Sequence, residues 1–181
     1  MSNNKSPDES HILLQNEHFL TEKSPSLAKY FSVAYFTKIS FVNCNFEKVQ
    51  LPGIIFGSCN FQNCIFNDFL GYKTTFGACY FEDCKIIDSD MTRGDFESTH
   101  FKNCEFIGVN LSASDISSCT FKETKFLKSN LTGIGIYHSS LEDCKITNCE
   151  MERPYLTNTQ LKSMDYNFNT KSKFMRYEFP D

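Results

Sequence analysis

The sequence predicts an all-β solenoid built from four-sided coils, and three observations carry that prediction. All nine cysteines, Cys44, Cys59, Cys64, Cys79, Cys84, Cys104, Cys119, Cys144 and Cys149, stand at positions that leave remainder four on division by five. Fourteen of the nineteen phenylalanines leave remainder one, and from Phe31 to Tyr166 that phase holds Phe, Leu, Ile or Met at 26 of 28 positions, with Gly71 and Tyr166 the exceptions. A longer motif returns every twenty residues, as in Phe41-Val-Asn-Cys-Asn-Phe46, Phe61-Gln-Asn-Cys-Ile-Phe66 and Phe101-Lys-Asn-Cys-Glu-Phe106. A period of five fits neither a helix nor a heptad, which argues against helix through the repeat.

Each unit reads small, polar, large apolar, then two mostly polar residues. In an extended segment, side chains two apart share a face, so the small and the large residue both point inward and the one between them meets water. The last two residues must turn the chain. Four units make the twenty-residue motif, hence four sides, and residues twenty apart stack in columns. Cys44, Cys64, Cys84, Cys104, Thr124 and Cys144 form one such internal column. One side is poorer in phenylalanine, with Phe31, Leu51, Gly71, Met91, Leu111, Leu131 and Met151 in the large position. There Gly71 coincides with Phe69 at the normally small position, an exchange of volume that keeps the core filled.

These units resemble the pentapeptide repeat family, whose pattern is a small residue, Asp or Asn, Leu or Phe, then two variable polar residues. The resemblance covers about residues 30–166. It implies a right-handed quadrilateral β-helix of about seven coils, and roughly 4.8 Å per stacked strand makes a rod about 34 Å long. Departures are mild: Cys largely replaces the family's Ala, and Phe is preferred to Leu.

The ends need covering, because an open coil exposes unpaired strand edges. Residues 1–29 are expected to be a disordered start followed by a helical cap over 10–23, with Ser10 as its N-cap and Ser24-Pro25 as its breaker. Residues 30–166 form the repeat domain. In residues 167–181 the register dies, yet Phe168, Phe174, Met175, Tyr177 and Phe179 crowd together. That tail is expected to be a folded-back cap or a homodimer contact through the carboxyl-terminal end.

Catalytic chemistry finds no footing. His11, His18, His100 and His138 are scattered, no glycine-rich phosphate loop is present, and flat sides offer little of the concavity that ligand sites need. Neither an enzyme activity nor a cofactor is expected. Cys59/Cys64 and Cys144/Cys149 mimic a zinc spacing, but their phase already explains them, and no metal is expected. An odd number of inward cysteines points to free thiols in a reducing, cytoplasmic setting. No apolar run of eighteen residues and no signal peptide are seen, so neither membrane contact nor export is expected.

What remains is protein interaction. Some members of the family resemble duplex DNA in shape and charge and protect DNA gyrase from quinolones. The resemblance therefore makes gyrase, or another topoisomerase, the most specific candidate partner, with protection from an antibiotic or toxin as the role. The alternative is a general scaffold, regulator or secreted effector with an unrelated partner. The candidate partner-binding residues are Asp68, Asp88, Asp90, Asp95, Glu97 and Asp115. Asp68 and Asp88 stack one coil apart, Asp95 and Asp115 stack on an adjoining side, and Asp90 and Glu97 lie between or beside them. Charge is modest: residues 30–166 hold 16 acidic and 12 basic residues, against about 20 negative charges on 34 Å of duplex. Direct nucleic-acid binding is disfavoured by the acidic balance and the lack of a basic stripe. The external loops used by some gyrase-protecting relatives are expected to be absent, because the register shows no slip.

Overall fold

The computed structural model describes residues 12–20 and 35–168. Among these residues every regular element is a short strand, and the strands stack in parallel at intervals of twenty residues, as in Phe81 over Phe61 and Phe101 over Phe81. The result is a quadrilateral β-helix. The first side carries eight strands, from Ile12–Gln15 and Ile39–Val42 to Gln160–Lys162. The second also carries eight, from His18–Leu20 to Asp165–Phe168, and the fourth carries seven, from Tyr35–Thr37 to Tyr155–Thr157.

The third side is the phenylalanine-poor one, and it is built differently. Its coils are joined by single bridges running Gln50, Leu70, Asp90, Asn110, Asn130, Glu150. Instead of strands it holds β-turns: the amides of Thr74, Gly94, Ser114 and Ile134 donate to the carbonyls three residues earlier, at 3.0 to 3.3 Å. Asp90, Asn110 and Asn130 tighten these turns by accepting from the amides two residues on, a bond that short polar side chains are suited to make.

Corners fall on the residue after each strand. Asn63, Asp68, Asp83 and Asp88 have φ between 46° and 56°, in the left-handed region. Asn and Asp bear that conformation better than most residues. Their frequency at corners therefore has a backbone cause.

Inside, the phenylalanine column of the first side runs unbroken from Phe41 to Phe121. Along the first side the ring centroids of Phe41, Phe61, Phe81, Phe101 and Phe121 follow one another at 4.9, 4.5, 4.9 and 4.7 Å, with planes within 16° of parallel. That interval is the strand spacing itself, about 4.8 Å. The small positions form a second kind of ladder. Cys64 Sγ donates to the Phe41 carbonyl at 3.3 Å, Thr99 Oγ1 to that of Phe76 at 2.8 Å, and Ser114 Oγ to that of Met91 at 3.0 Å. Each reaches a carbonyl 23 residues back, which is why Cys, Thr and Ser interchange there: all three are small and carry one hydrogen to donate. All nine thiols are free and buried. Burial pushes the Cys119 thiol up to about 11 and raises Cys144 and Cys149 as well.

The expected amino-terminal helix is corrected by the structure. Ile12–Gln15 and His18–Leu20 are strands that add a coil to the first and second sides. Leu14 and Phe19 are five apart and take the large positions above Phe41 and Phe46, and Phe19 is 1% exposed. A strand wins because the coil edge presents unpaired donors and acceptors, and only another strand pairs with them. Asn16 N–H donates to the Val42 carbonyl and Asn45 N–H to that of Glu17, both at 2.9 Å.

This coil is joined to the next with an offset of 27 residues rather than twenty. Seven extra residues therefore lie between Leu20 and Tyr35, so the slip missing from the repeat occurs just ahead of its first described strand. Residues 1–9, and Phe174, Met175, Tyr177 and Phe179 of the expected cap or dimer contact, lie outside the described residues. Phe168 is the last residue of its strand, paired with Cys149 across a bulge.

An acidic side on a charge-paired rod

The six predicted acidic residues fall on three different parts of the rod. Asp68 and Asp88 are corner residues between the second and third sides, one coil apart. Asp90 lies in the third side and is committed to its turn, accepting from the Thr92 amide at 3.0 Å and from the Thr92 hydroxyl. Asp95, Glu97 and Asp115 stand on the fourth side. Asp95 and Glu97 project from one strand, and Asp115 is the partner of Asp95 on the next. The corner between the third and fourth sides carries Lys73 and Arg93, which turn to Tyr72: Lys73 Nζ sits 5.3 Å from the ring centroid, and Arg93 Nη1 donates to the hydroxyl at 3.4 Å. The structure thus brings three of the six together and separates the others from them by a basic corner.

On the first and second sides the outward acids are paired along the columns. On the first side Lys102 pairs with Glu82 at 2.7 Å, and Lys162 pairs with Glu142. On the second, Glu105 lies between Lys85 and Lys125 at 3.2 and 2.9 Å, and Lys145 pairs with Asp165 at 2.8 Å. The Lys125 ammonium, with Lys85 beside it, holds the Glu105 carboxyl below its usual range. No outward position of the fourth side carries Lys or Arg among the described residues. There Asp95 is shifted the other way: partial burial, then the charges of Asp115 and Glu97, raise its pKa. Three like charges are held together without a cation among them.

Sequence reasoning missed the apolar surroundings of these acids. Tyr35 and Ile55, 59% and 43% exposed, precede Asp95 in its column, and Tyr155 follows Asp115. Gly57 and Gly77 precede Glu97 in the other outward column. Their positions, twenty and forty residues before Glu97, were the available signal. At the carboxyl-terminal end, Leu161 and Tyr166 hold large positions that are buried in earlier coils, yet they are 48% and 57% exposed. A shallow depression of about 490 Å³ opens where Gly108 interrupts the corner column, with Lys128, Asn130 and Glu150 around it. Among the described residues no group of three or more His, Cys, Asp or Glu is placed to hold a metal ion.

The five-residue unit, the four-sided coil and the stacking at twenty residues are now all in view, and residues 54–135 match the family model for a pentapeptide repeat region. Residues 54–135 are a pentapeptide repeat region. Among solved structures, the pentapeptide rod is similar to full-length QnrB1, a plasmid-mediated fluoroquinolone resistance protein, at 13% identity and a TM-score of 0.26, over 86% of this chain and 92% of that one. It is similar to the pentapeptide repeat protein Rfr23 from the cyanobacterium Cyanothece 51142 at 15% identity and a TM-score of 0.23, over 86% and 85% of the two chains. HetL, a pentapeptide repeat protein involved in heterocyst differentiation regulation from Nostoc sp. strain PCC 7120, is 9% identical with a TM-score of 0.21, over 87% and 88%. No curated protein matches the pentapeptide chain significantly.

Proposed function

We propose that this protein is a non-catalytic interaction rod whose fourth side docks a basic surface of a protein partner. One observation carries the reading: Asp95, Glu97 and Asp115 stand together on a side with no outward lysine or arginine among the described residues, while Glu82, Glu105 and Glu142 are paired with lysines. Asp95 is raised by partial burial and then by the charges of Asp115 and Glu97, and a cationic surface laid on the fourth side would relieve that repulsive part.

DNA gyrase or another topoisomerase is the specific candidate, as implied by the family resemblance, with protection from an antibiotic or toxin as the role. Three clustered charges make such mimicry of DNA local, since duplex of the same length carries about 20. Nine buried, unbridged thiols support a cytoplasmic setting.

The test is a gyrase supercoiling assay with the protein at micromolar concentration, beside the charge-reversed variant Asp95→Lys/Glu97→Lys/Asp115→Lys. Inhibition, or protection from a quinolone, that weakens with salt and is lost in the variant supports the gyrase reading. Exposed charges act over only about 8 to 10 Å at physiological ionic strength, so salt dependence is required. No effect of the unmodified protein on supercoiling overturns gyrase as the partner. A pulldown from lysate then tests the docking side itself: partners captured equally by both proteins would overturn it.

A further inference from the structure

The two ends of the rod are finished differently. At the amino-terminal end, Ile12–Gln15 and His18–Leu20 stand out of phase with the repeat, yet they pair with the next strands and bury Phe19. At the other end Tyr155–Thr157, Gln160–Lys162 and Asp165–Phe168 are the last strands of their sheets. Leu141, paired with Leu161, is 3% exposed, whereas Leu161 itself is half-exposed. Leu156 is only partly buried, and so is Met164, which stands twenty residues after Cys144 in a column that otherwise holds Cys and Thr. The final coil therefore presents an apolar end face.

Another coil of the same kind does not fit the chain that follows, residues 169–181, which lie outside the described residues. If the phase of the repeat ran on, Lys171 and Arg176 would take the large inward positions. The bulge shortens the step from twenty residues, Thr147 to Asn167, to nineteen, Cys149 to Phe168, and that shift would put Thr170, Met175 and Pro180 there instead. The first choice buries charges and the second leaves the core unfilled. Residues 174–179 have a different pattern: Met175, Tyr177 and Phe179 alternate with Arg176 and Glu178, a period of two that predicts a strand with one apolar face. The seven residues from Phe168 to Met175 span up to about 25 Å when extended, whereas facing sheets lie about 10 Å apart. The segment starts at the face that needs covering and reaches across it.

We propose that residues 174–179 lie across the carboxyl-terminal end of their own chain, with Met175, Tyr177 and Phe179 over Leu156, Leu161 and Met164. A tether this short holds the segment at an effective concentration in the millimolar range, so it outcompetes the same face of a second copy at micromolar protein. The cover closes the end at which rods would otherwise join edge to edge. The molecule then works as a single rod and offers partners its sides.

Phe179→Trp in the full chain tests it, because the protein has no tryptophan of its own. The expected result is blue-shifted emission, with iodide quenching several-fold weaker than in denaturant, at the same level over a wide range of protein concentration and in a protein that sediments as a monomer. Leu161→Asp added to that chain, with Leu161→Ser as a milder change, should open the tryptophan to iodide while the circular dichroism spectrum stays β-rich. A tryptophan as open to iodide in the native protein as in the denatured one, or shielding unchanged in a folded Leu161 variant, overturns the cover. Shielding that rises with protein concentration together with the sedimenting mass also overturns it, and gives the end face to a second copy.

Discussion

The ring edge of Phe69 fills the space that a Cβ atom on Gly71 would occupy, two residues along the same coil. Phe69 is 1% exposed in a position where other coils carry Ser, Val or Cys, and its ring meets that of Phe66 edge-on at 5.5 Å. The two residues have exchanged volume across one turn.

Gly71→Ala should therefore destabilise, by about 1–3 kcal/mol, the usual range for overpacking a filled core. Phe69→Val in the same chain should recover part of that loss, because it vacates the contested space. Gly77→Ala, whose added Cβ would meet nothing within 4 Å, should by contrast be neutral or stabilising by up to about 1 kcal/mol. Denaturant midpoints of the four proteins check this, and equal losses for the two glycines would contradict the packing.

Phe81 lies between Phe61 and Phe101 in the first-side column and is 2% exposed. Phe81→Ala and Phe101→Ala should each cost about 3–5 kcal/mol. Phe19→Ala should cost a comparable amount, because Phe19 is as deeply buried as the repeat phenylalanines. An unchanged midpoint for Phe19→Ala would remove the amino-terminal coil from the cooperative fold.

Thiol chemistry gives a pH-dependent check. The nine cysteines should resist a thiol reagent in native protein and react together after denaturation. Cys119 holds its proton up to about 11 in the fold, whereas an unfolded thiol ionises near 8.5. Its contribution to stability is fully present below the unfolded value and is lost as pH rises through the folded one. Melting midpoints should fall between about pH 8.5 and 11, less steeply in Cys119→Ser.

Asp95 and Glu105 should respond to acid in opposite directions. The raised Asp95 favours the fold only once protonated, so its contribution is present below the unfolded carboxyl range and lost as pH rises through the folded value. Asp95→Asn should then raise the melting midpoint at pH 7 and lose that advantage near pH 3. Glu105, lowered by its lysines, stabilises above the unfolded range and ceases to do so in acid. Glu105→Gln should lower the neutral midpoint by no more than a surface pair contributes, about 1 kcal/mol or less. Parallel pH profiles for the two variants would contradict the assignment.

The repeat was readable because its signal is strictly local: a cysteine or phenylalanine every fifth residue says inward wherever it occurs. The twenty-residue columns followed, and with them the Phe69 and Gly71 exchange. Leu14 and Phe19 escaped because they are spaced like repeat residues but stand in a different phase, 27 residues from their partners. Their neighbours also satisfy a helical pattern equally well. The acidic residues were placed on the correct columns, yet column position alone did not reveal their different duties. Asp90 is engaged by its own backbone, Asp68 and Asp88 serve the left-handed corners, and Asp95, Glu97 and Asp115 stand together on the fourth side.

The regularity of the coil also sets how this chain can change in length. Twenty residues removed from the repeat would shorten the rod by one storey and leave every later side chain on its own wall. Five residues removed would keep the alternation of small and large, and so the interior, but would rotate everything downstream by a quarter turn. The Asp95 wall would then be continued by residues that now belong to a neighbouring one. Insertions and deletions thus act on this molecule as a combination lock: whole-coil steps alter reach, single-unit steps redraw the surface, and other sizes put polar residues into the core.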